Sequence, residues 1–243
     1  MLELNVDKKR FVDAIQNGLL RARDELYASG TLTNNRIHMQ KWDYIVTELK
    51  RSFSTDDRYA FVPLDRGLFK PVMMFDKEAK TLYTVMKRHN FENLMGRRSV
   101  TKSHYIDALL DYNYGYQKEP LQMDIFDEPG LFSANAELQI NDLKLTIGSL
   151  LNADDVTRYV TIVVDFTSFA LTDAKAVLCS KWLNIIESDS WSEIITPSYE
   201  DNMVSQVESE YVHESKSHES SCHSARPKRR RPQTTRPTPS RWP

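Results

Sequence analysis

A β-branched, apolar run at Tyr159–Phe166 has almost no polar interruption before Asp165. Eight residues bounded by polar stretches fit a strand better than a helix. Since successive side chains of a strand point to opposite faces, a run without alternation needs apolar cover on both sides. The pattern predicts an inner strand, covered by helices from the first half of the chain.

Two amphipathic helices are predicted before this strand. Asp7 is placed to cap the first, Gly30 to end it, and the interior Gly18 to weaken it. The second carries an apolar stripe at helical spacing, made of Trp42, Ile45, Val46, Leu49 and Phe53. Such stripes are usually buried, which favours core packing for Trp42 over a place in a pocket.

Short segments rich in aromatic and β-branched residues predict two antiparallel meanders. The first comprises Tyr59–Leu64, Phe69–Phe75 and Thr81–Lys87, with Pro63 and Pro71 at edges or strand ends. The second comprises Ala174–Cys179 and Leu183–Ile186, followed by a short acidic element at Ser190–Ile195.

The region between the meanders is less regular. Short helices are predicted from Asn90 to Gly96 and from Thr101 or Ser103, and residues 113–136 are predicted to form a loop. Leu138–Leu151 fits both a helix and a strand. The resulting fold class is α+β, with N-terminal helices packed on a mainly antiparallel sheet built from two meanders.

Charge separates the chain into a domain and a tail. Residues 1–199 carry 24 basic and 28 acidic side chains and form the predicted globular domain. Residues 200–225 are rich in Ser and His and carry six acids against one lysine, whereas residues 226–243 carry seven basic residues, five prolines and no acid. Because residues 200–243 offer little apolar surface to bury, they are predicted to be disordered when alone.

The basic end of the tail is the strongest functional signal. Flexible cations can follow a phosphate backbone without a fixed fold, which predicts non-specific binding of nucleic acid. A solubilising terminus or an accidental extension would look the same. The predicted contact residues are Arg226, Lys228, Arg229, Arg230, Arg231, Arg236 and Arg241.

Several classes of protein are disfavoured by composition. No apolar run approaches the roughly 20 residues needed to span a bilayer, and the N-terminus has no signal-peptide pattern. The two cysteines give no disulfide framework and favour the cytoplasm. Neither a glycine-rich phosphate loop nor a nucleophile elbow occurs, and no cofactor is predicted.

One short pattern suggests an enzyme. Pro63-Leu64-Asp65 followed by Glu78-Ala79-Lys80 has the residue order of a metal-dependent nuclease of the restriction-endonuclease type. That chemistry requires both carboxylates on one divalent ion and the lysine beside the phosphate. Since Glu78 and Lys80 fall in a predicted hairpin turn, surface charge is the favoured interpretation.

Two further sets of polar residues could be functional, but each has a simpler structural explanation. His213, His218, Cys222 and His223 could ligate zinc, but their spacing matches no familiar site and favours a solvated linker. Asp165 lies at the end of the inner strand, where functional acids often occur, yet a lone acid there more often ends a strand.

Core patterns in three segments resemble those of a family of unknown function from Firmicutes, their phages and mobile elements. They are the helical N-terminus, the hairpin at Lys70–Met86, and the late motif Asp189–Ile195. The resemblance covers roughly residues 5–196, leaves the tail outside, and implies a phage or mobile-element setting. It carries no site residues.

Together these features predict a non-enzymatic binding protein of a phage or mobile element. Its acidic domain would engage a protein partner, for instance a host protein, and its tail would bind nucleic acid, without a membrane. The alternatives are the nuclease using Asp65, Glu78 and Lys80, and a host-takeover inhibitor of a nucleic-acid-processing enzyme that presents carboxylates to a cationic channel.

Overall fold

The computed structural model describes residues 7–30, 36–64, 70–96, 104–116, 141–142, 144–145, 147 and 155–196. Two helices come first, α1 (Lys8–Ser29) and α2 (Ile37–Phe53). The Asp7 carboxylate accepts a hydrogen bond from the backbone N–H of Arg10, and Gly30 ends α1 in the left-handed conformation with φ 57°. Both predicted ends of α1 are confirmed.

Six strands form one sheet in chain order. They are β1 (Tyr59–Pro63), β2 (Val72–Asp76), β3 (Thr81–Lys87), β4 (Arg158–Thr167), β5 (Ala170–Cys179) and β6 (Ile185–Ser190). All neighbours pair antiparallel except β3 and β4, which are parallel. The predicted fold class is therefore confirmed, and the parallel pair joins the two meanders.

Shorter helical elements connect the strands. α3 (Arg88–Gly96) follows β3 directly and so begins two residues before the predicted start at Asn90. His104 caps α4 (Tyr105–Leu109), which continues into a 3₁₀ helix at Leu110–Tyr116. The ambiguous segment Leu138–Leu151 is helical at its described positions, which are 141, 142, 144, 145 and 147. A 3₁₀ turn at Ser192–Ile194 follows the fully buried Trp191.

The inner strand is covered on both faces, as its sequence requires. Val160, Ile162 and Val164 of β4 pack in the cluster that includes the apolar faces of α1 and α2. Tyr159 and Val163 point to the other face and pack with residues of α3, α4 and the 3₁₀ helix. This alternation places helices on both sides of the sheet.

Asn113 replaces part of the sheet ladder at one end of β4 and β5. The last paired residues there are Thr161 and Val177, and the side chain of Asn113 lies beyond them. Its amide nitrogen donates to the carbonyls of Tyr159 and Cys179, each at 2.8 Å, and its oxygen accepts from the Tyr159 N–H at 2.7 Å. The sequence placed Asn113 in a loop, whereas the structure gives it three buried hydrogen bonds.

α1 and α2 pack closely at Gly18. Among the described glycines, it is the one at which an added β-carbon would clash with a neighbour. A β-carbon at this position would lie 2.6 Å from the Ile45 Cα and 2.8 Å from its nitrogen. The sequence pattern predicts that Gly18 weakens the helix. Its lack of a side chain instead lets the two backbones come together.

In the described part of the chain, no helix is long and apolar enough to cross a bilayer. The disordered tail predicted at residues 200–243 lies outside the described residues, as does the zinc-ligand candidate set of His213, His218, Cys222 and His223. Both stay predictions.

The two cysteines should differ sharply in reactivity. Cys179 is 2% exposed, and burial raises the pKa of its thiol to about 12, so little reactive thiolate forms near neutral pH. Cys222 lies in the predicted disordered tail and should react freely. We expect a chromogenic disulfide reagent to titrate one thiol in the native protein and a second only after denaturant is added. Two thiols reacting at equal rates without denaturant would contradict this expectation.

Candidate binding cleft between α2 and the sheet

A cavity of about 500 Å³ lies between α2 and strands β1–β3. Its volume is within the range of ligand-binding pockets, roughly 300–1,000 Å³. The polar residues of its lining are Asp43, Thr47, Lys70 and Thr84. The apolar lining consists of Phe11, Met39, Trp42, Val46, Leu49, Phe61, Pro71, Val72, Met74, Tyr83, Val85 and Tyr105.

A second cavity of about 470 Å³ shares Trp42, Val85 and Tyr105 with the first. It continues towards α3 and the start of α4, and its further lining residues are Met86, Lys87, Asn90, Asn93, Leu94 and His104. Because the shared residues join them, we treat the two cavities as one elongated site, the α2–sheet cleft.

The width of the apolar stripe on α2 explains why the cleft is there. Ile45, Leu49 and Phe53 are buried against α1 and the sheet. Trp42 and Val46 lie on the flank of this stripe and are only partly buried. The Trp42 ring packs on Phe166, with the ring centroids 5.9 Å apart, and Trp42 also lines both cavities. The prediction that Trp42 packs in the core rather than in a pocket is therefore incomplete.

Met39 extends this flank and was not singled out by the sequence reasoning. It is 61% exposed and lines the first cavity. Met39, Trp42 and Val46 follow the helical spacing i, i+3 and i+7, so a second apolar stripe beside the buried one was visible in the sequence.

Among the described residues, the end of β3 has no strand partner on its β2 side. On the β2 side, the ladder runs from Thr81 to Thr84, whereas on the β4 side it continues to Lys87. Within the described ranges, no strand pairs with residues 85–87 on the β2 side. We call these three residues the β3 notch, and they span about 10 Å at roughly 3.3 Å per residue.

Lys87 brings positive charge to the notch. Its ammonium lies 4.5 Å from the ring centroid of Phe166, which holds the side chain beside Trp42. Among the residues that the structure describes, no carboxylate lies within ion-pair distance of Lys87. The adjacent Arg88 differs, because it is paired with Asp173 and lies 3.9 Å from Asp165.

Asp165 therefore has a clear structural role. It lies directly opposite Asp173 across the β4–β5 pair, at a bulge. Two carboxylates opposite each other would repel, and the Arg88 guanidinium between them offsets this repulsion. The partner of Asp165, which the sequence did not reveal, is Arg88 at the start of α3.

Tyr83 adds a buried polar group to the wall of the cleft. It is 1% exposed, and burial raises the pKa of its phenol. The hydroxyl of Thr81, two residues earlier in β3, donates to the carbonyl of Ala79. Among the described residues, the Tyr83 hydroxyl makes no hydrogen bond of normal geometry.

Of the residues in the nuclease pattern, the structure describes Glu78 and Lys80. Glu78 and Lys80 lie in the β2–β3 turn, as predicted, with Lys80 at φ 50°. The Glu78 carboxylate is 3.2 Å from Arg58, which also forms a two-pronged pair with the buried Asp76 at 2.8 and 2.6 Å. These contacts stabilise the turn.

Leu64, the residue before Asp65, lies at the opposite end of β2 from Glu78. Leu64, directly before Asp65, is hydrogen-bonded to Pro71, and Glu78 follows Asp76 at the other end of β2. Five steps of about 3.3 Å separate these ends by about 16 Å, whereas a divalent ion binds oxygens at about 2.0–2.6 Å. Asp65 itself lies outside the described residues. The nuclease alternative using Asp65, Glu78 and Lys80 stays a prediction.

Metal ligands are not grouped elsewhere in the described residues, where no three His, Cys, Asp or Glu side chains could hold one ion. The seven basic residues from Arg226 to Arg241 lie outside the described ranges. Their role in binding nucleic acid stays a prediction.

Comparison with protein-family models matches residues 4–236 to a family of unknown function, DUF5986. The match reaches far beyond residue 196, where the resemblance seen in the sequence was expected to end. It includes the acidic stretch and six of the seven basic residues of the tail. No curated protein and no solved structure matches the chain at a significant level.

Proposed function

The chain belongs to this family of unknown function, and we propose that it is a non-enzymatic binding protein whose domain engages a protein segment while its basic tail holds nucleic acid. The proposal places it in the cytoplasm, in a phage or mobile-element setting. Its two parts rest on different observations.

The α2–sheet cleft is the observation that carries the domain's role. Aromatic and aliphatic side chains line most of it, and eight polar or charged residues are present to set orientation. Clefts of this composition bind ligands through burial of apolar surface, with polar groups giving specificity. The cleft is also elongated and, in the part of the chain that the structure describes, meets a strand end that has no partner on one side. This shape suits a chain segment better than a compact molecule.

The charge block at the end of the chain supports the role of the tail. Seven cations without an anion in residues 226–243 give a flexible, phosphate-binding sequence. The family match to residue 236 favours a tail that is part of the family's chain over an accidental extension.

The inhibitor alternative would need carboxylates presented to a cationic channel. Many described carboxylates are instead paired within the domain, including Asp13 with Lys9, Glu48 with Arg21 and Asp189 with Lys8. These pairs favour the binding-protein proposal over a mimic of nucleic acid.

The tail should bind single-stranded nucleic acid with a strong dependence on salt. If about five of its cations contact phosphates, the relation of roughly −0.7 per contact gives a log–log salt slope of about −3 to −4. Fluorescence anisotropy across a salt series on single- and double-stranded oligonucleotides measures this slope.

Two variants separate charge from other causes. Deletion of residues 226–243 should abolish binding, whereas a tail with all arginines replaced by lysine should retain most of it, because charge dominates the affinity. Equal binding by the deleted protein, or a slope near zero, would show that the tail is not the contact surface.

A further inference from the structure

We propose that the β3 notch accepts an extended peptide as an additional strand, and that this peptide carries two apolar residues and one acidic residue in sequence. The inference rests on the proposed role of the domain in binding a protein segment. It specifies the partner of that same cleft by chemistry.

Backbone geometry supplies the first argument. Successive residues of a strand direct their N–H and C=O groups to opposite edges. Whichever way β3 is phased, either Met86, or Val85 together with the N–H of Lys87, therefore directs backbone groups towards the notch rather than towards β4. The Lys87 carbonyl is not counted, because it precedes Arg88 and accepts the first hydrogen bond of α3. An extended peptide can pair with such an edge, and its backbone then supplies affinity while side-chain pockets supply specificity.

Side chains around the notch supply the second argument. Val85 and Lys87 lie on the face of the sheet that α2 covers, beside Trp42. Met86 lies on the opposite face with Leu94 and Tyr105. A strand added at the notch would direct alternate side chains into these two environments.

The order of peptide residues follows from this alternation. A residue that packs on Trp42 and Val85 should be apolar, and its neighbour, on the other face, should be apolar to pack on Leu94 and Tyr105. The next residue returns to the first face beside Lys87, whose charge favours an acid there. The expected pattern is apolar, apolar, acidic, read in either direction because the strand can run either way.

Selection from a randomised ten-residue peptide library against the full-length protein tests this inference. We expect enrichment of peptides that contain the apolar–apolar–acidic pattern. Lys87→Glu should weaken the best synthetic peptide at least tenfold and shift a repeated selection towards basic residues. Lys50→Glu is the matched control, because Lys50 is exposed on α2 and is not part of the cleft lining. It should leave affinity within about twofold.

Methylation of single backbone nitrogens in the selected peptide tests strand pairing. It should weaken binding about tenfold or more at alternate residues and little at the residues between them, because only alternate N–H groups face the notch. Thermal melting of each variant checks that both charge reversals leave the domain folded.

The other outcomes overturn the inference in different ways. Peptides that bind equally to Lys87→Glu and tolerate methylation everywhere would leave the domain as a protein-binding module but reject strand addition. Failure to enrich any peptide, with binding of a small apolar dye, would assign the cleft to a small molecule. Failure of both peptides and dye would reject both strand addition and the proposed role of the domain.

Discussion

Replacing Gly18 with alanine should lower the free energy of unfolding by about 2 kcal/mol. The new β-carbon would lie 2.6 Å from the Ile45 Cα, and this neighbour is backbone that cannot rotate away. Overpacking of a core typically costs about 1–3 kcal/mol, and the cost here should be at the upper end. Alanine regains only about 1 kcal/mol through its better helix propensity.

Gly96→Ala is the matched control for this substitution. Gly96 is the last residue of α3, and a β-carbon there would meet nothing within 4 Å. We expect its stability to stay within about 0.5 kcal/mol of the wild type. Urea unfolding followed by circular dichroism measures both variants. If Gly18→Ala proved as stable as Gly96→Ala, α1 and α2 would not cross as closely as the structure shows.

Asn113→Leu should have a still larger effect, about 3–5 kcal/mol. The substitution preserves much of the side-chain volume but leaves the Tyr159 N–H and the carbonyls of Tyr159 and Cys179 without their partner. Each buried backbone group left unsatisfied costs about 1–3 kcal/mol, and the three costs are not fully additive. The expected result is a large fall in the urea midpoint with little change in its slope.

Asn17→Leu provides the comparison, because Asn17 is exposed on α1. It should change stability by no more than about 0.5 kcal/mol. Hydrogen exchange gives a second measurement for Asn113→Leu, since the Tyr159 amide should lose its protection before the middle of β4 does. Wild-type stability in Asn113→Leu would mean that water or another group satisfies these atoms.

Local patterns were sufficient to predict most of the fold. The β-branched run became β4, buried on both faces, and the stripe from Ile45 to Phe53 faces the core. The hairpins of both meanders also follow from alternation and turn residues. These features depend on neighbours in sequence, which a single sequence displays directly.

The candidate cleft was not predictable in the same way. The notch exists because the β2 ladder stops at Thr84 while β4 continues to Lys87, and that difference depends on the register of three strands. The role of Gly18 likewise depends on Ile45 of another helix, and that of Asn113 on strands 46 and 66 residues away in sequence. Contacts of this kind have no periodic signal. Only the flanking stripe with Met39 and Trp42 was visible beforehand.

The parallel seam between β3 and β4 has a consequence for how the chain folds. Each meander closes through short turns, whereas the parallel pairing of β3 with β4 requires the connection at residues 88–157 to be closed as a loop. For a flexible loop of 70 residues the length-dependent closure cost is about 4 kcal/mol. Since that cost must be met before the seam's contacts offset it, the two meanders should form as separate units and join late. The same logarithmic dependence makes stability insensitive to the length of this connection, because ten added residues would cost only about 0.1 kcal/mol.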